Sequence, residues 1–478
     1  MSAIVRNTLS TLTVFGLAWA GSIFYWRSSG ATPSGMEMLT YLGLVPAGVL
    51  GGGWALRSLG QRALDRAGQA LESDASAGQD AAPVPAKDAA ASAAPATRVL
   101  GVLAADAWLP PAREPAALLG QLPAPPRPGL HPHFRDRDGL PVYAAHVADL
   151  DPAVSPLSVD EHDVLPPAHA RALVLLEPVL ENVLPPTVAA LPVLETVEER
   201  VVAGWRQQSS QQVEQVLAID LLVPLDWPAE LRDRAQDWLQ ARVVDHGLDA
   251  RRFAVNVIPA ADANATWRYL QQAAQLAGAP AWRLLLACAS AIDPVVIEQW
   301  QQRGRLWDRL HPDGRVPGEA AAGVLLTSTP ATDGVCLHPA RMQEVPAPAA
   351  LAQCARATSQ LASDALTAAA VEPARVDLVI SDADQRGGVA AEAYGAASSA
   401  CPDLDTSLQC LAFAATSGET GPVAPLAMLA LAQAHLAAGT DAATLLLGVD
   451  QGPARWAAVV ALSTLPPADS DSASAAVA

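Results

Sequence analysis

Lysine is almost absent from this chain: Lys87 is the only one among 478 residues, so nearly all positive charge is arginine. Together with the heavy use of alanine and proline, that scarcity reads as the base composition of a GC-rich bacterial genome. Basic residues are few in total as well. Lys and Arg number 30 against 49 Asp and Glu, a net charge of −19. This balance argues against a nucleic-acid partner, because phosphate binding draws mainly on Lys and Arg. Cysteine is also sparse. Cys288, Cys336, Cys354, Cys401 and Cys410 are odd in number and show no C-x-x-C spacing, which argues against a disulfide framework or a thiolate metal site and for buried thiols in a reduced compartment. There is no G-x-x-x-x-G-K phosphate loop and no G-x-S-x-G, and nothing implies a cofactor.

Hydrophobic residues, by contrast, make up 51% of the chain, enough to bury one large core or two medium ones. Two uncharged apolar runs, Leu9–Trp26 and Leu39–Leu56, are each about 18 residues, near the length that crosses a bilayer core. Only Arg27–Met38 separates them, so they predict a transmembrane helical hairpin spanning residues 1–66 with membrane lipid around it. Tyr25, Trp26, Tyr41 and Trp54 lie near the ends of the runs, as interfacial aromatics do. Arg6, Arg57, Arg62 and Arg66 flank the outer ends against the single loop residue Arg27. The positive-inside bias then places both chain ends in the cytoplasm, with the hairpin in a bacterial inner membrane. Residues 67–97 and 466–478 are rich in Ala, Pro, Ser and Asp without apolar periodicity, and read as a disordered linker and tail.

Between them lies a globular block, residues 98–465. Short β-type runs at Val99–Leu103, Val142–Val147, Val216–Val223, Phe253–Ile258, Trp282–Cys288, Gly323–Leu326, Val376–Ile380, Thr444–Gly448 and Trp456–Leu462 alternate with helical patterns. The latter include Arg171–Leu184, which Pro178 would kink, Pro228–Val244, Thr266–Ala277, Ala347–Ala369 and Ala424–Ala438. Alternation of this kind predicts an α/β layered fold. The block reads as two halves, residues 98–332 and 333–465, each ending on an apolar strand that follows a glycine-bearing loop. His131 and His133 form an H-x-H pair near Asp136 and Asp138, read as an exposed turn in a proline-rich loop. Asp382, Asp384 and Glu392 read as a solvated loop after a strand.

The stretch Leu306–Ser328 contains D-G-x-x-x-G-E as Asp313, Gly314, Gly318 and Glu319, leading into an apolar strand. It resembles the ketosynthase and thiolase superfamily. Val376–Asp384 and Ala414–Ala424 resemble the two segments that carry catalytic histidines in condensing ketosynthases. Arg98–Leu103, Arg171–Leu184, Ala281–Pro294 and the closing loop and strand with Gly452, Arg455 and Ala457–Leu462 resemble further elements in the same order. The resemblance implies a thiolase-like duplicated fold of two similar halves. It also implies a cysteine at a helix N-terminus, its thiolate favoured by the helix dipole, and two histidines that stabilise the enolate and oxyanion.

This chain departs from that pattern at all three places. The segment aligned with the nucleophile, Ala260–Thr266, has Asp262, Asn264 and Thr266 but no cysteine, and Asp262 or Asn264 reads as a helix N-cap. The first histidine position falls within Asp382–Asp384. The second falls in Gly418-Glu419-Thr420-Gly421, where Glu419 takes the histidine's place and would repel an enolate. In the implied fold these three loops converge on one cleft. The expectation is a catalytically inactive, membrane-anchored binding or scaffold module whose partner is another protein, with a homodimer as a further possibility. Two alternatives stay open: an effector adaptor in bacterial type VI secretion, or a thioester or ester hydrolase using Glu419 and Asp382 as paired carboxylates.

Overall fold

Apolar residues that serve two faces at once build the centre of this protein. In the strand Glu319–Thr327 every residue is buried. Ala320, Ala322, Val324 and Leu326 join one hydrophobic cluster, while Ala321 and Leu325 join another. Successive side chains point to opposite faces of a strand, so a continuous apolar run marks a strand covered on both sides. The computed structural model describes residues 98–158, 165–193, 200–202, 205–207, 215–275, 280–346, 349–439 and 442–463. The two apolar runs, the linker 67–97 and the tail 466–478 lie outside the described residues. The fold below is that of the unit Ala93–Ala478.

The strands in chain order are β1 (Leu100–Trp108), β2 (Gly129–Arg135), β3 (Pro141–Ala144), β4 (Arg200–Val202), β5 (Trp205–Gln207), β6 (Leu217–Val223), β7 (Phe253–Pro259), β8 (Trp282–Ser290), β9 (Glu319–Thr327), β10 (Val335–Leu337), β11 (Arg341–Glu344), β12 (Val376–Ser381), β13 (Cys410–Ala412), β14 (Ala443–Gln451) and β15 (Ala454–Leu462). The helices are α1 (Pro115–Leu119), α2 (Pro167–Ala190), α3 (Ala229–Asp245), α4 (Ala263–Gln275), α5 (Pro294–Gln302), α6 (Leu351–Ala369), α7 (Gly387–Ala400), α8 (Thr406–Gln409), α9 (Phe413–Ser417) and α10 (Ala424–Ala437).

Eleven of the strands form one sheet, and its order exposes a duplication. In the first half β7, β6 and β8 are parallel, β9 runs antiparallel to β8, and β1 antiparallel to β9. In the second half β13, β12 and β14 are parallel, β15 runs antiparallel to β14, and β10 and β11 follow each other along the far side of β15. The halves meet where β1 pairs with β10, Leu100 opposite Leu337 and Gly101 opposite Cys336.

Helices fill three layers. Leu173, Leu176, Val179 and Leu180 of α2, with Leu231 and Leu239 of α3, cover the outer face of the first half. Leu361 and Leu366 of α6 and Ala396 and Ala397 of α7 cover the outer face of the second. Trp267 and Leu270 of α4 and most of α10 share a central cluster with β1, β9 and β15. Seven consecutive residues of α10, Leu426–Ala432, are wholly buried. A helix apolar on every side has to be enclosed on every side, and here α10 occupies the middle layer.

Among the described residues α2 alone is long and apolar enough to cross a bilayer, but its apolar stripe belongs to the outer core. It runs 24 residues with Pro178, Pro185 and Pro186 inside it, well beyond the expected Arg171–Leu184. An internal proline costs a helix about 3 kcal/mol, and the buried row from Ala172 to Leu184 outweighs that through packing.

Candidate functional site

The N-terminus of α4 follows β7 through a short turn, and each of its polar residues is tied down. Asp262 Oδ1 accepts the Ala265 N–H at 3.0 Å, an N-cap that satisfies one of the helix's orphan donors. Asn264 Oδ1 accepts from Trp456 Nε1 of β15 at 2.9 Å. Thr266 is fully buried and donates its hydroxyl hydrogen to the Pro422 carbonyl at 2.7 Å. Thr266 therefore joins α4 to the loop that carries Glu419.

That loop packs backbone to backbone against the D-G-x-x-x-G-E segment. The Glu419 N–H donates to the Val316 carbonyl at 2.8 Å, and Pro317 and Glu419 form a parallel bridge. A Cβ at Gly318 would lie 2.2 Å from the Ser417 carbonyl oxygen, and Gly418 sits at φ +66 with its own Cβ position 3.0 Å from the Gly318 Cα. Only glycine tolerates both the approach and the left-handed backbone. Gly314 is buried against the Leu306 carbonyl, where a Cβ would be 2.4 Å away, while Asp313 is exposed.

Glu319 opens β9 with its side chain wholly buried. Arg171 of α2 donates to its two carboxylate oxygens at 2.8 and 2.6 Å, and Ser290 Oγ donates at 2.8 Å. The second half carries a counterpart of opposite polarity, in which Arg455 of β15 pairs with buried Glu392 of α7.

The Glu419 carboxylate forms an ion pair with Arg315 and accepts the Gly421 N–H at 3.2 Å. Arg315 also reaches Asp450 at 3.0 Å. Asp450 pairs in turn with Arg386, and Arg386 with Asp384 at 2.8 Å. Charges thus alternate along Glu419, Arg315, Asp450, Arg386 and Asp384. Burial pushes the Asp450 carboxyl above the usual range, opposed by the guanidiniums of Arg315 and Arg386. Asp382 accepts the N–H groups of Val449 at 2.6 Å and Asp450 at 3.1 Å. The solvated-loop reading of Asp382, Asp384 and Glu392 is overturned, since the three are 3%, 5% and 4% exposed. Each keeps its burial because a guanidinium or backbone donor meets it.

Asp262, Asn264 and Glu419 line one cleft of about 720 Å³, together with Gly318, Gly421, Gly452, Asp450 and Arg315. Thr266, Asp382 and Asp384 are not among its lining residues. They connect to it through the Pro422 carbonyl, the Asp450 N–H and Arg386 respectively. None of the five cysteines lines it, and all five are unpaired thiols. Sequence reasoning missed Arg303, Arg305, Arg315, Arg386, Asp450 and the cleft residues His169, Asp226, Trp227 and Trp300. Arg315 sits at a variable position of the glycine motif, and its partners are 104 and 135 residues away, beyond the reach of any local pattern.

The H-x-H pair lies on a strand and not in a turn, with His133 exposed as expected and His131 buried. His131 lies on β2, is 8% exposed, stacks on Phe134 at 3.8 Å and meets His146 edge-on at 4.6 Å. Its Nδ1 accepts backbone N–H groups of His133 and Phe134, so that nitrogen is already used. No group of residues suited to a metal occurs among the described residues. Burial, then the neighbouring His146, His133, Arg171 and Arg135, lowers its pKa from 6.5 to about 4. The unfolded chain therefore binds the extra proton between those values, and stability falls as pH drops through that window. Thermal melts should show the native protein losing stability from pH 6.5 to 4, and His131→Gln should remove part of that slope. Parallel slopes would exclude this origin.

No family model and no curated protein matches the sequence. Solved structures do match. The ishigamide ketosynthase/chain length factor superposes over 76% of this chain and 99% of its own at 14% identity, with a TM-score of 0.51. The PfaC keto synthase-chain length factor covers 80% of this chain and 44% of its own at 14% identity and a TM-score of 0.48. Acetamide-bound OleA of Xanthomonas campestris covers 76% and 99% at 13% identity and a TM-score of 0.41. The chain shares the fold of the first of these, the thiolase-like fold.

Proposed function

We propose that this chain is a membrane-anchored, non-condensing member of the thiolase-like fold that acts as a binding module for another protein. Its globular block would lie on the cytoplasmic side of a bacterial inner membrane. One observation carries the loss of condensing chemistry. Where a condensing cleft needs hydrogen-bond donors for the developing oxyanion, Glu419 presents a carboxylate and is held in an ion pair by Arg315. The aligned helix start supports the same reading, for Asp262, Asn264 and Thr266 stand where a nucleophilic thiol is required and each is engaged in a structural hydrogen bond. A hydrolase with Glu419 and Asp382 as a carboxylate pair is disfavoured, because one is bound to Arg315 and the other to two backbone N–H groups. The anchor rests on the two apolar runs and on the arginines that flank them.

The test uses the full chain with acyl and malonyl thioesters. Intact-protein mass spectrometry should show no acyl adduct, and no condensed product should form. Ala263→Cys combined with Glu419→His should still give none, because Asp382–Asp384 would supply no histidine. An adduct or product formed above the spontaneous hydrolysis rate would sink the reading. Fusing a periplasm-dependent reporter after Ala478 checks the topology, which requires that the reporter stay inactive.

A further inference from the structure

Four carboxylates line the cleft, and all four are occupied. Asp226 faces His169 at 3.5 Å, Asp262 caps α4, Glu419 holds Arg315, and Asp450 holds Arg315 and Arg386. Two guanidiniums on the same walls, Arg303 and Arg305, are exposed. Among the described residues neither meets a carboxylate within ion-pair distance. Arg305 lies over the Trp300 ring at 4.3 Å, a stacking that orients the guanidinium without neutralising it. The segment Arg303–Arg315 has four arginines against Asp308 and Asp313, inside a chain of net charge −19. Asp308 is further engaged by His311 at 2.9 Å. Arg303 and Arg305 are therefore a cationic pair without a carboxylate partner on the rim of a cleft in an acidic protein.

Two residues of the lining also carry a buried polar atom without a partner. His169 and Thr420 are 7% and 2% exposed, and His169 Nδ1 and Thr420 Oγ1 have no hydrogen-bond partner. In the tautomer that carries its proton on Nε2, toward Asp226, the His169 Nδ1 is an acceptor, while the Thr420 hydroxyl can donate. A peptide group offers the complementary N–H and C=O, whereas phosphate or a fatty carboxylate offers acceptors alone. Trp227 and Trp300 supply apolar wall. A volume of about 720 Å³ accommodates a short segment and excludes a folded domain.

We infer that this cleft receives an acidic peptide segment of the partner protein, its carboxylates held by Arg303 and Arg305 and its main chain by His169 and Thr420. The inference rests on the reading of the chain as a binding module and names the chemistry of what it binds. The protein's negative charge repels such a segment elsewhere, so the rim also sets where it can dock.

Fluorescence anisotropy with the full chain in detergent tests this. The probe is a labelled peptide Asp-Glu-Trp-Glu-Asp-Leu, compared with its amide counterpart Asn-Gln-Trp-Gln-Asn-Leu. The acidic peptide should bind at least about tenfold more tightly at low salt and lose that margin as salt is raised. Arg303→Ser with Arg305→Ser, both exposed, should abolish the difference between the peptides while the melting temperature shows that the variant stays folded. Thr420→Val should weaken the acidic and the amide peptide alike. Equal binding of the two peptides, an unchanged preference in the double variant, or displacement by inorganic phosphate at peptide-like concentrations would overturn the inference. Failure here with a negative thioester assay leaves the non-condensing module standing, whereas a positive thioester assay removes the reading beneath it.

Discussion

Arg171→Ala should cost about 3–5 kcal/mol, the usual result of stranding one partner of a buried ion pair. Arg171 donates to both oxygens of Glu319 and to the Leu150 and Val147 carbonyls at 3.0 Å each. Glu319 is wholly buried and also accepts the Val147 N–H at 2.7 Å. Removing the arginine leaves a carboxylate with no counter-charge and two carbonyls without donors. Against a typical total stability of about 5–15 kcal/mol, that loss threatens the fold itself. Arg171→Met with Glu319→Leu removes both charges and should recover a large part of the deficit. Urea denaturation of the three proteins decides the matter. A single variant within about 1 kcal/mol of the parent would mean that the pair contributes little.

Gly318→Ala should be nearly as damaging, through backbone geometry alone. The added Cβ would meet the Ser417 carbonyl oxygen at 2.2 Å and the Gly418 carbonyl carbon at 2.9 Å, and neither atom belongs to a side chain that could turn aside. The loops carrying Arg315 and Glu419 would have to part. We expect a loss of about 3 kcal/mol, at the upper end of the range for overpacking, and weaker peptide binding in the cleft. Gly387→Ala is the control, since nothing lies within 4 Å of a Cβ there and the residue opens a helix. Similar melting temperatures for the parent and Gly318→Ala would contradict the close approach of the two loops.

Sequence reading reached the fold further than it reached the site. The D-G-x-x-x-G-E glycines encode a contact between backbones, which leaves a trace because only one residue type fits. The two-faced apolar run at Glu319–Thr327 and the all-round apolar helix Ala424–Ala437 likewise write their burial into their composition. Charged residues leave no such trace. Asp382, Asp384 and Glu392 look solvated when read alone, because what holds them is Arg386, Arg455 and the β14 backbone. α7, Gly387–Ala400, escaped notice since its alanines and glycines carry almost no helical stripe. Trp300 and His169 gave no warning either, for the cleft that they line exists only after distant segments meet.

The junction of β1 with β9 and β10 has a consequence for synthesis. β1 is the first strand of the sheet, yet Gly101 pairs with Thr327 and Cys336, more than about 200 residues later along the chain. Contacts of such long sequence separation close slowly. On the ribosome, β1 must therefore wait with both edges unpaired until β9 emerges, and with its second edge unpaired until β10 follows. A nascent chain ending before β9 would expose Val102 and Leu100, core residues in the finished protein, and would be open to aggregation. Folding of this molecule is thus a commitment made late, by the arrival of one strand between two waiting partners.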